Sequence, residues 1–336
     1  MKRTKYLPLE WAEKLPRIYK NIYAPLSYSE IRELISLETS DERRTEILNK
    51  SEKIPSLLST LPHEDKEELL RDLDATSLLL MWSRNKQVFK FDKDFTDELV
   101  KTEKLKYTKD MFDYLPYECF YVDLSDNKEL CESIIGEGFF VTVEKAVRHK
   151  RTVIHLSKIT EKLFFTDTIS LRNEDMEFSP DDIAANKRVE IMDDSSGEVR
   201  RYEKDIDGRA YRTLVLQILT YLTSVEPDVE ENETTKATHR PYNPDNPKNK
   251  FSEVKMWDVG ARIGNAFRSY KKRMQNYSSS GSTTGTGTPK RPHIRRAHWH
   301  TFLYGHGENK VARAKWVAET FVGKGESPVT IHKTRK

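Results

Sequence analysis

Apolar residues recur at helical intervals through the first hundred positions of the chain. Ser29-Glu30 opens EIRELISLE and Ser40-Asp41-Glu42 opens RRTEILNKS. The run EDKEELLRDLDATSLLLMWSR sets Leu69, Leu70, Leu73, Leu78, Leu79 and Trp82 near the helical period, with acidic residues crowding its first turn. Pro16, Pro25, Pro55 and Pro62 fall between these runs, where a missing amide hydrogen and a fixed φ stop helices. The pattern predicts a helical N-terminal region over 1–109, a scaffold or protein-docking layer.

The period changes near Met111. CFYVDLS, GFFVTVEKAV, TVIHLSKI and KLFFTDTISL are rich in β-branched and aromatic residues separated by short turn signals, which predicts a meandering antiparallel sheet. AYRTLVLQILTYLTSVEPD then runs without a breaker and is apolar on most faces, which predicts a helix over 210–225 buried against that sheet. The acidic α+β core is thus placed at 110–239. A polar stretch with Pro241, Pro244 and Pro247 reads as loop and opens a C-terminal region, 240–336. Within it, the Ser/Thr/Gly composition of 278–288 is that of a flexible linker. HIRRAHWHTFLYG and KVARAKWVAETFVG follow, separated by His306-Gly307-Glu308-Asn309, and predict a β-hairpin over 292–323. The fold class expected is α+β. Gly260 and Gly264 in DVGARIG read as backbone glycines outside the strand–turn–helix setting of a phosphate loop.

Charge adds a direction to this layout. The net charge of +3 hides 20 Lys and Arg against 6 Asp and Glu from residue 240 onward, and 37 against 48 before it. Such polarity fits either a polyanion partner for the basic end or attraction between the two ends. No apolar run approaches the roughly 20 residues of a membrane span, and MKRTKYLPLEWAEKLP has no apolar core of a signal peptide. Two cysteines, Cys119 and Cys131, make no disulfide framework, so the expected location is cytoplasmic.

The densest chemistry is KRPHIRRAHWHTFLYG at 290–305. On an unbulged strand, Arg296, His298, His300, Phe302 and Tyr304 share one face, and His293, Arg295, Ala297, Trp299 and Leu303 the other. His298 and His300 suit two metal ligands, with His306 or Glu308 as a third, but the interleaved arginines repel a cation, so no metal and no cofactor are expected. The same two histidines are the candidate acid and base of a ribonuclease, with Arg295 or Arg296 on the phosphate. Cations from Lys290, Arg291, Arg295 and Arg296 beside His293, His298, His300, Phe302 and Tyr304 also suit nucleic-acid binding without chemistry. An ordinary sheet strand with Trp299 in the core is the remaining reading. Asp123 in YVDLS and Glu226 and Asp228 in VEPD form a possible acidic site, though such residues also cap element ends. The residues establish no catalytic site.

The cassette KRPHIRRAHWH, closed by Gly305 and followed by a strand with Trp316 and FVG, resembles the C-terminal signature of the second type V-A anti-CRISPR family of phages and plasmids. LPYECFYVDLSD, YLTSVEPD and DVGARIGNAFRSY agree in order, so the resemblance spans about 115–323. His293, Arg295, His298, Trp299, His300 and Gly305 fill its positions, while Leu303 stands where the signature has an aromatic. The resemblance implies an adaptor that recognises the nascent N-terminal peptide of the type V-A CRISPR effector nuclease and triggers translation-dependent loss of its mRNA. The implied partners are that peptide, the mRNA or ribosome, and a host nuclease. A ribonuclease using His298 and His300, or a general RNA- or DNA-binding mobile-element protein, are the alternatives.

Overall fold

The computed structural model describes residues 8, 25–36, 39–50, 75–102, 105–133, 137–146, 151–159, 164–172, 191–192, 199–200, 208–232, 254–279, 293–306, 311–318 and 320–322. Helix α1 (Tyr28–Ile35) starts with a capping box: the Ser27 hydroxyl accepts from the Glu30 amide, and the Glu30 carboxylate accepts from the Ser27 amide. The cap therefore lies two residues before the Ser29 start that the sequence suggests. Ser40 caps α2 (Asp41–Asn49) through the Arg43 amide, as its position in SDE predicts. Helix α3 covers 75–85 and buries Leu78, Leu79, Met81 and Trp82. Its onset in EDKEELL lies outside the described residues.

A strand follows inside the stretch that reads as helical. β1 (Gln87–Phe91) is QVFKF, too short and too β-prone for a helix, and it sits in the middle of a seven-stranded sheet. The sheet order is β5-β4-β3-β2-β1-β9-β8, with β2 (Cys119–Asp123), β3 (Gly138–Ala146), β4 (Arg151–Ile159), β5 (Phe164–Arg172), β8 (Val229–Glu231) and β9 (Lys255–Val259). The strands β2 to β5 form the expected antiparallel meander. β1 runs parallel to both β2 and β9, so the sheet is mixed. β6 (Ile191–Met192) and β7 (Val199–Arg200) make a separate short pair.

Both faces of the central strands are covered, which is why they read as continuous apolar runs. On one face Val88, Cys119, Tyr121, Phe140 and Met256 pack with Leu26, Ile31, Leu34, Ile47, Leu78 and Trp82 of the N-terminal helical layer. On the other, Phe89, Phe91, Phe120, Val122, Phe139 and Val259 meet α4 (Lys93–Lys101), the 3₁₀ turn Lys109–Phe112 and α6 (Gly208–Thr223). The short α5 (Lys128–Ser133) lies between β2 and β3 in sequence. α6 is the helix expected at 210–225, shifted by two residues. No helix among the described residues is long and apolar enough to cross a membrane.

The β9–Gly260–α7 (Ala261–Ser279) unit corrects one reading, because it is a strand–turn–helix. It is still no phosphate loop, since the helix N-terminus is already filled. The Asp228 carboxylate accepts from the Arg262 and Ile263 amides at 2.9 and 3.1 Å and from Arg262 Nε at 2.5 Å. Gly260 has φ +72°, and a Cβ there would run into the Phe95 ring; a Cβ at Gly264 would meet the Asp92 carboxylate. Both glycines bring α7 close to α4. α7 runs through Ser279, two residues into the expected linker; 280–288 lies outside the described residues.

Candidate nucleic-acid interface

The C-terminal cassette lies on a two-stranded ribbon. β10 (His293–Arg295) pairs with β13 (Thr320–Val322), and β11 (His298–Tyr304) with β12 (Val311–Val317), all antiparallel and in the same register on either side of Arg296-Ala297, from His293↔Val322 to Tyr304↔Val311. Gly305, at φ +108°, starts the turn in a conformation that L side chains rarely adopt. Because the register never slips, cross-strand partners share a face along the whole ribbon.

One face is core. Trp299 pairs with Trp316, and Ala297, Ala314 and Trp316 are buried in the same cluster as α4 and α6. The Trp316 ring meets Phe95 edge-on at 5.2 Å between centroids and Tyr221 at 6.1 Å, and its Nε1 donates to Thr102 Oγ1 at 3.2 Å. The Val225 amide also donates to the Ala314 carbonyl at 2.8 Å, fastening β12 to the end of α6.

The opposite face is open. His298, His300, Phe302 and Tyr304 are exposed, and His300, Phe302 and Tyr304 face Lys315, Arg313 and Val311 across the ribbon. His300 meets Phe302 edge-on at 4.4 Å and Phe302 lies 6.4 Å from Tyr304, forming a row of π surfaces along β11. Arg313 stands over both Tyr304 and Tyr114, its Cζ 5.9 and 4.9 Å from the two ring centroids, and donates to the Thr223 carbonyl at 3.4 Å. Lys315 pairs with Glu226 at 3.1 Å.

The predicted site residues therefore divide. Arg296, His298, His300, Phe302 and Tyr304 share one exposed face, while Trp299 and Trp316 turn inward, as strand alternation requires. His293 and Arg295 sit on β10, and their side chains, like Lys290 and Arg291 entirely, lie outside the described residues. His298 Nδ1 is 3.3 Å from the Arg296 carbonyl oxygen. Neither His298 nor His300 pairs with a carboxylate among the described residues. Among the described residues no cluster of His, Cys, Asp or Glu can hold a metal ion.

The three acidic candidates have separate structural duties. Asp228 caps α7, Glu226 pairs with Lys315, and Asp123 accepts from the Ser125 amide at 2.9 Å. Sequence reasoning missed Tyr114 and Arg313. Arg313 was legible, because VARAKWV alternates it with Lys315 opposite Trp316. Tyr114 carries no local signal; only packing of β12 against the 3₁₀ segment places it there.

A family model for AcrVA2-like proteins, the anti-CRISPR type V subtype A2 family, matches residues 89–324, which include the whole ribbon. Among solved structures, the crystal structure of AcrVA2 is similar at a TM-score of 0.58 and 18 % identity, covering 95 % of this chain and 100 % of that one; at this identity the likeness carries the fold. No curated protein matches the chain.

Proposed function

Since the chain belongs to the AcrVA2-like family of type V subtype A2 anti-CRISPR proteins, we propose that it suppresses production of the type V-A CRISPR effector nuclease. It recognises the effector's nascent N-terminal peptide and brings about loss of the encoding mRNA. The observation that carries this reading is the ribbon's open face, where cations and aromatics stand in register and are held by a core-buried opposite face. That face suits contact with mRNA or ribosomal RNA, and the acidic remainder of the chain suits a basic or apolar peptide. An adaptor fits this surface better than a ribonuclease, because its two imidazoles lack an orienting carboxylate among the described residues; degradation then falls to a host nuclease.

Synonymous recoding of the effector gene tests peptide against RNA sequence. Inhibition survives recoding if the peptide is read, and a synthetic N-terminal peptide raises the melting temperature of the purified protein by mass action. Loss of inhibition on recoding would sink the peptide reading.

A further inference from the structure

Five large hydrophobic side chains stand exposed among the described residues, and three of them gather on the ribbon's open side: Phe302 at 37 %, Tyr304 at 44 % and, beside Arg313, Tyr114 at 51 %; Leu303, at 65 %, is on the opposite face. Tyr114 comes from the loop after the 3₁₀ turn and meets the ribbon at Arg313. An exposed apolar patch of this kind marks a binding surface. Its character is set by the cross-strand pairs His300↔Lys315 and Phe302↔Arg313, which place a ring and a cation side by side on the same face.

We propose that this face binds unpaired RNA, with His300, Phe302, Tyr304 and Tyr114 as platforms for splayed bases and with Arg296, Lys315 and Arg313 along the phosphates. The inference rests on the reading above that the basic ribbon is the end that meets RNA, and it names what is taken: single strands, without regard to sequence. Rings that project from a surface need base faces to stack on, and a duplex hides those faces inside its own stack. A-form duplex RNA also offers a major groove too narrow for side chains to read. An apolar protein partner would have to take the interleaved cations out of water.

Glu226 has a defined part in this arrangement. It holds Lys315 at 3.1 Å, with both side chains about half exposed, and so competes with phosphate for that ammonium group.

The test is anisotropy with the full chain and labelled twelve-nucleotide oligouridylate, beside a duplex RNA of equal length, titrated with salt. The wild-type protein binds the single strand more tightly than the duplex. Tyr114→Ala and Tyr304→Ala each weaken binding roughly 5- to 150-fold, and Tyr114→Phe restores it. Lys315→Ala flattens the salt dependence, whereas Glu226→Gln tightens binding and steepens it. Melting curves show that the tyrosine variants remain folded. Equal affinity for duplex, or unchanged binding in Tyr114→Ala and Tyr304→Ala, overturns the inference. Intact single-strand binding by a protein that leaves effector levels in cells unchanged supports this interface and sinks the proposed function alone.

Discussion

At Asp228, one residue that is 4 % exposed ties together α6, α7 and the turn before α7 through its side chain and backbone. It accepts from the first turn of α7, its amide donates to the Tyr221 hydroxyl at 2.9 Å, and its carbonyl accepts from Gly260 at 2.7 Å. Asp228→Ala removes a helix cap and one of Arg262's two carboxylate partners, an expected loss of about 2 kcal/mol, read by urea denaturation. Full stability in that variant would contradict the capping role. Glu30 offers a test by pH. Hydrogen bonds from Lys50, then from the Ser27 amide and hydroxyl, hold its carboxyl down at about 2 against the ordinary 4.5. A depressed carboxylate stabilises the fold above its ordinary value and loses that contribution as pH falls toward its folded one. Wild-type melting temperature therefore drops between about pH 4.5 and 2 more steeply than that of Glu30→Gln, and parallel curves would refute the coupling. Elsewhere burial pushes the Cys119 thiol up to about 12, which keeps it protonated and inert at neutral pH.

Among the elements, the ribbon was the most legible and the sheet centre the least. HIRRAHWHTFLYG alternates cleanly, so period two alone turned Trp299 inward and His298, His300, Phe302 and Tyr304 outward, whereas Leu303, on the Trp299 face, is exposed because the strand end runs past the core. QVFKF was hidden because five residues between two helices carry no period of their own, and its partners β2 and β9 lie far off in the chain. Parallel neighbours leave no hairpin signal in sequence. The same limit applied to Gly260: the strand before it, KMWDV, becomes a strand through pairing with β1. In the ribbon, inward and outward aromatics should respond differently to truncation. Trp316→Ala, which empties a site between Phe95 and Tyr221, costs about 3–5 kcal/mol. Tyr304→Ala, on the open face, stays within about 0.5 kcal/mol. Equal losses in thermal melts would mean that the ribbon's two faces are not distinct in solution.

Across the whole molecule the charge split resolves into two parts. Three cations of α7 are spent internally: Arg268 pairs with Asp92 and Asp94, Lys271 with Asp94, and Arg262 with Asp228 and Glu230. On the ribbon, Lys315 has a carboxylate and Arg313 has a carbonyl and two rings, so attraction between the chain's ends engages these α7 cations and Lys315. The bond from Trp316 to Thr102 crosses 214 positions of sequence, and it sets the order in which the molecule can be made. Domains commonly consolidate from the N-terminus as the chain leaves the ribosome, but here β1 lacks β9 and the surface of Phe95 and Tyr221 lacks its cover until β12 is synthesised. At about 5–20 residues per second, the first half of the core waits on the order of ten seconds or more with apolar surface open. A chain ending at residue 310 is expected to bind a hydrophobic dye and to give a broad thermal transition, where the full chain gives a sharp one. A sharp transition in the shortened chain would show that the early core closes unaided. Completion of the last ribbon is the event that turns a half-built sheet into a finished protein.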